Sequence, residues 1–207
     1  MDNNFSQFAI DIFRKAIDDY HVYDDVDHPY AAPYEAGTIE ERLYRKCWID
    51  TVQWHLEDII RDPDIDPVAA LLLKRRIDKS NQDRTDLVEQ IDTYFLEQYR
   101  GVKPLEEATL NTESPAWAID RLSILQLKLY HMADEAEREG VPADRREKVR
   151  AKLAVLREQN EDLPRAIDEL LADYASGKKV MKVYRQMKMY NDPSLNPVLY
   201  GKSGEKA

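Results

Sequence analysis

The chain has 207 residues, 43% hydrophobic and 34% charged, with only 6 glycines and a formal net charge of −10. That length buries a core without covalent staples, and a charge-rich, glycine-poor composition fits long solvent-washed helices better than a sheet with many turns. No apolar run reaches the roughly 18–20 residues of a membrane span, the acidic start MDNNFSQFAIDIFRK lacks the basic and apolar regions of a signal peptide, and the lone Cys47 allows neither an internal disulfide nor a cysteine-based zinc site, so a cytoplasmic protein with no integral membrane segment is expected.

Apolar residues at Phe5, Phe8, Ala9, Ile12, Phe13 and Ala16 recur at helical spacing and predict a first helix over 5–19. The stretch 20–37, rich in tyrosine and holding two prolines, reads as an ordered loop packed across the bundle by Tyr23, Tyr30 and Tyr34. Thr38 and Glu41 form a capping box that opens a second helix running to about residue 61, where Asp62-Pro63 breaks it. Asp66 as N-cap with Pro67 behind it opens a third helix, without Gly or Pro until Gly101. At about 1.5 Å per residue that helix is roughly 45 Å long. Ser114-Pro115 repeats the signal for a fourth, ending near Gly140. Pro142 starts a fifth, and 160–164 is expected to interrupt the chain before a sixth that stops at Gly177. The whole predicts an all-α, up-and-down bundle of about six helices, with a domain over 1–176 and a basic, Tyr/Met-rich extension over 177–207.

Charge is unevenly spread. Seven Lys/Arg follow Ala175 against Asp192 and Glu205, so the tail is basic and the body strongly acidic. An acidic body repels phosphate and argues against nucleic acid as a partner. The tail is expected to fold back on an acidic surface, of its own chain or of a second copy in a homo-oligomer, anchored by Tyr184, Tyr190, Leu195 and Tyr200.

Projected at about 100° per residue, the helices place polar groups on apolar faces. On the third, Asn81 and Arg84 interrupt the stripe of Leu73, Ile77, Val88, Ile91 and Phe95. Either the helix drifts to solvent there and Arg84 snorkels, or the bundle encloses a polar pocket in which Arg84 needs a carboxylate, Asp120 or Glu57, with Asn81 completing the network. The fourth helix is apolar on two sides and therefore central, with Asp120 and His131 sharing the second face. Arg84 and Arg61 are the partners open to Asp120, and His131 is either a satisfied core residue or an acid–base group. On the second helix Asp50, Trp54, Glu57 and Arg61 stack on one stripe with Asp58 beside it. That is either a solvated face of weak ion pairs or a surface for a polar ligand with a flat face.

Three segments carry a resemblance. CWIDTVQWHLEDIIRD contains Trp54, His55, Glu57 and Asp58; KRRIDKSNQDRTDLVEQID contains Asn81, Gln82, Arg84 and Asp86; LNTESPAWAIDRLSILQLKLYHM contains Thr112, Glu113, Pro115, Asp120, Arg121 and Ser123. In this order they resemble the motifs of an uncharacterised bacterial all-helical family, domain of unknown function 4254, and cover about a third of the chain. Ala116 departs from the glycine expected there. The resemblance implies an all-helical protein of unassigned activity whose genes often neighbour those of glycosyltransferases.

Familiar chemistries are not readable. No Glu-x-x-His pair for a di-metal bundle, no phosphate-cradling glycine loop and no Ser-His-Asp or Cys-His spacing is present, so no cofactor and no metal-ligand set is expected. Glu57 and Asp58 supply half of a Mg²⁺ cluster, but Asp86, Glu89 and Asp92 project away from the apolar stripe. Two readings follow. The first is a binding or accessory protein for an anionic or sugar-containing ligand or a protein partner, linked to envelope-glycan synthesis, with Trp54, Asp58, Arg61, Asn81, Arg84, Arg121 and His131 as binding residues. The second is a hydrolase or transferase, metal-dependent on a nucleotide-like substrate in one version, with His55, Glu57 or Asp120 catalytic and Arg84 and Arg121 clamping an anion.

Overall fold

The cap signals determine where the helices begin. In a computed structural model that describes residues 4–189, 192 and 194–201 (for Tyr200 the backbone only), Thr38 Oγ1 accepts from Glu41 N at 3.2 Å and Asp66 accepts from the amides of Val68 and Ala69. These open α2 (Ile39–Ile59) and α3 (Pro67–Gln98), which follow α1 (Phe5–His21). Glu41 completes only half of the capping box: its carboxylate accepts from Tyr30 OH at 3.1 Å instead of returning to Thr38. Ser114 precedes α4 (Pro115–Glu137) but makes no cap bond of its own. Asp92 of α3 takes over, accepting from Ser114 Oγ at 2.8 Å and from Ala116 N at 3.3 Å. Asp92 is thus buried at the α3–α4 seam rather than projecting away from it as the sequence projection expects.

The expected break at 160–164 is absent. α5 runs from Ala143 to Ala175 with Pro164 inside it. A helix-interior proline costs about 3 kcal/mol. Continuous packing offsets that cost: Val149 and Leu153 bury with Ala136 of α4, and Ile167, Leu171 and Tyr174 join the main core. The sixth helix is instead a single turn in the tail, α6 (Pro197–Tyr200). Among the described residues there is no strand, only an isolated bridge between Thr109 and Lys179, and no helix long and apolar enough to cross a membrane.

The packing departs from a simple up-and-down order. Cys47 Sγ meets Phe13 O, and His55 meets His21, so α1 and α2 advance together. Lys46 with Asp120 and Asp50 with Ser123 show the same for α2 and α4, whereas Arg84 with Asp120 and Asp92 with Ser114 run α3 opposite to α4. Ser6 with Asp168 and Arg14 with Gln126, itself on Asn160, run α5 opposite to α1. Three parallel rods, α1, α2 and α4, are therefore braced by two antiparallel ones, and α4 touches all the other long helices. The segment between α1 and α2 makes this possible by crossing back along the bundle. Tyr34 packs on the core and Tyr30 sits against Tyr44 and Trp48. Tyr23 does not pack across: it is exposed and stacks only on His28. Arg76 of α3 pins the loop through Asp27 at 2.7 Å.

After α5, Gly177 takes φ +76, and a Cβ there would meet Lys103 O at 2.7 Å, so only glycine turns the chain so close to the 103–105 segment. Residues 185–188 of the extension then lie on α3 of the same chain. Arg185 pairs with Glu89 at 2.9 Å, Gln186 N donates to Glu89, and Lys188 Nζ donates to Thr85 Oγ1 at 3.0 Å. The anchors are polar where apolar ones are expected: Tyr184 is 73% exposed, and Leu195 is also exposed. Tyr190 lies outside the described residues, as does the side chain of Tyr200.

Candidate functional site

The polar groups of α2, α3 and α4 form a buried network, an open cleft that Asp50 and Arg84 of that network help to line, and a histidine cluster. At the centre of the network is Lys46, whose side chain is 0% exposed. Its ammonium contacts Asp50 Oδ2, Asp120 Oδ1 at 3.0 Å and Asp120 O at 3.0 Å. Ser123 Oγ donates to Asp50 at 2.6 Å. Burial pushes the Asp50 carboxyl above the usual carboxylate range, with the Lys46 charge acting against it. Arg84 reaches the edge of this network, Nη1 standing 3.4 Å from Asp120 Oδ1. The expected Arg84–Asp120 pair therefore forms, but Lys46 is the nearer cation. Asn81 does not complete it: it accepts from Gln53 Nε2 at 2.9 Å.

The cleft, about 340 Å³, opens above this network between α2, α3 and α4. Trp54, Glu57, Asp58, Arg61 and Arg84 line it, with Ile124 and Leu127 as its apolar wall. Arg61 pairs with Glu57 at 2.8 Å on the rim, so it is not a partner of Asp120. Arg84 is 25% exposed, and its buried Nε has no hydrogen-bond partner. Arg121 is turned to Glu113 at 3.0 Å and does not line the cleft. Trp54 is a shared wall, because a second hollow of about 520 Å³ lies beyond it, bordered by Lys128, His131, Glu135 and Lys152. A larger hollow, about 930 Å³, is at the other end of the bundle. It is lined by Phe5, Phe8, Tyr94 and Phe95 and borders Asn4, the first described residue; its Asp168 is already taken by Ser6 N and Oγ.

His55 and His131 face away from the cleft and meet His21, the last residue of α1. His21 Nε2 and His55 Nε2 are 3.4 Å apart. Trp54 stacks on His131 at 4.7 Å and 6°, Tyr20 stacks on His55, and Tyr130 covers His21. Burial lowers the pKa of His55 and carries that of His131 down to about 4, against the pull of Asp24 and Asp58 on the first and of Asp58 and Asp134 on the second. Neutral imidazoles follow at neutral pH. Unfolded histidine titrates near 6.5, so the unfolded chain takes up protons first as pH falls. The stability these rings contribute, complete above about pH 6.5, is lost as pH drops toward the native value. Urea midpoints in a chelating buffer are expected to fall between about pH 7 and 5, and to fall less in His131→Gln. Midpoints that do not change over that range would contradict the neutral cluster.

Sequence projection finds Arg84 with its partner Asp120, and finds His55 and His131 but not that they meet His21. Lys46 has an ordinary solvated i,i+4 pairing with Asp50 as its only local signal, and His21 lies in what reads as loop. The architecture is that of an all-helical bundle carrying a buried charge network that meets a polar cleft at Asp50 and Arg84. The chain belongs to the DUF4254 family, described as protein of unknown function, whose model matches residues 40–183. No curated protein and no solved structure matches it.

Proposed function

We propose that the protein binds a small polyhydroxylated, sugar-containing ligand in the cleft between α2, α3 and α4 and, in the setting the family resemblance implies, serves envelope-glycan synthesis as a binding or accessory protein. The supporting observation is the composition of the cleft: a tryptophan wall, two rim carboxylates and two guanidiniums, one of them with an unpartnered Nε. Sugar hydroxyls donate and accept, so alternating carboxylates and guanidiniums satisfy both roles, while an aromatic wall takes the apolar face of a ring. A bare anion fits less well, since Glu57 and Asp58 offset the two arginines. The catalytic alternative has less support, because His55 belongs to the histidine cluster and Asp120 is sealed beneath the cleft, leaving Glu57 alone.

Thermal unfolding in a chelating buffer with monosaccharides, sugar nucleotides and nucleotides tests this. A ligand at 100 times its Kd adds about 2.7 kcal/mol, which raises the midpoint of a chain this size by about 5–10 °C. Sugar-bearing compounds are expected to give that shift, and Arg61→Met at an exposed position and Glu57→Gln at a half-buried one to reduce it. No shift with any sugar-bearing compound at millimolar concentration would overturn the reading.

A further inference from the structure

We propose that His21, His55 and His131 form a three-histidine site for a divalent transition-metal ion of the zinc type, with a fourth position facing Asp24. One ring nitrogen from each of the three histidines lies within 4.8 Å of those of the other two. The His21–His55 separation of 3.4 Å matches the edge of a zinc tetrahedron, about 3.3–3.4 Å for Zn–N bonds of about 2.0–2.1 Å. The other two edges are at most 4.8 Å, so they need to contract by no more than about 1.5 Å, within the reach of side-chain rotation.

The hydrogen bonding also fits ligation. His21 Nδ1 lies 2.7 Å from the Ile17 carbonyl oxygen. A carbonyl only accepts, so Nδ1 carries the proton and Nε2 presents its lone pair to the other rings. A backbone carbonyl fixing the tautomer of a ligating imidazole is a common outer-shell arrangement around metal sites. His131 Nε2 is buried with no hydrogen-bond partner. An orphaned buried nitrogen is costly, and a bound cation removes that cost.

Carboxylates around the cluster favour a cation. Asp18, Asp24, Asp58 and Asp134 act electrostatically on the cluster and on Tyr130 over it. Asp24 is held in the left-handed region at φ 50, its amide donating to Tyr20 O at 2.9 Å, and its Oδ1 stands 3.8 Å from His55 Nε2. The cluster also lies toward the C-terminal ends of the parallel α1, α2 and α4, where backbone carbonyls add partial negative charge. Imidazole donors with a carboxylate alongside suit zinc and its transition-metal neighbours rather than calcium or magnesium. The site is independent of the cleft ligand, which is tested with chelator present.

The experiment adds Zn²⁺ or Co²⁺ to the full-length, chelator-stripped protein. One equivalent per chain is expected, tighter than about 1 µM, with the visible spectrum of four-coordinate cobalt. Each of His21→Ala, His55→Ala and His131→Ala is expected to weaken binding by at least about 100-fold, the upper end of outer-shell losses, whereas His28→Ala leaves it unchanged. Should an alanine variant fail to fold, imidazole ¹⁵N shifts of the wild type give the same answer: three of its 4 histidines change on adding zinc, and His28 does not. Absent stoichiometric binding, binding indifferent to the three histidines, or shifts confined to His28 would overturn the proposal.

Discussion

Lys46→Met is expected to lower stability by about 3–5 kcal/mol, the cost of stranding charge in a bundle interior. Methionine fills nearly the same volume, so the loss reports the missing ammonium rather than a cavity. Without Lys46, Asp50 and Asp120 face each other at 7% and 5% exposure, and only Arg84 at the network's edge opposes them. Burial already pushes Asp50 upward in the native protein against Lys46, so removing the lysine pushes it further. A carboxyl with a native pKa above its unfolded value of about 3.9 binds its proton more readily when folded, and stability then improves as pH falls. The difference between Lys46→Met and wild type in urea should therefore shrink on going from about pH 7 to 5. A loss under about 1 kcal/mol, the size of an exposed pair, would show that water reaches the network.

Asp92→Ala should remove about 2–4 kcal/mol, combining a lost helix cap with buried donors left unsatisfied. Two groups depend on this carboxylate, the Ser114 hydroxyl and the Ala116 amide at the first turn of α4. Because α4 contacts every other long helix, fraying at its start reaches the whole bundle. Asp92→Asn keeps one acceptor oxygen and is expected to lose less. Urea unfolding gives the energies, and exchange at the Ala116 amide locates the effect. If that amide exchanges no faster in Asp92→Ala, the cap is supplied from elsewhere.

The elements that were legible in sequence are those whose signals are local. Thr38, Asp66 and the Pro residues behind Asp66 and Ser114 set helix starts through contacts within three or four residues, and the two-sided apolarity of α4 places it at the centre. Pro164 misleads because its cost is local while its compensation, the length of α5 against α4 and α1, is not. Lys46 and Asp92 are hidden for a related reason: a charged residue beside an apolar stripe reads as solvated until the facing helix is known. The histidine cluster has no spacing signature, since it depends on α1, α2 and α4 running in the same direction, and α1 does so only because the loop crosses back over the bundle. Arg84 with Asp120 was legible because each stands on an otherwise apolar face and demands a partner.

The family model begins at residue 40, but the folding unit begins earlier. Ala9, Phe13, Ala16, Ile17 and Tyr20 of α1 fill the main core beside Leu43, Tyr44, Cys47 and Trp48. Each large apolar side chain in that layer contributes about 1.5–3 kcal/mol of burial. A chain cut at the family boundary would present this α2 face to water along its first three turns, and it would lose His21 with it. The stretch that the family model matches and the packed core are therefore different objects: one face of α1, before the match begins, is interior.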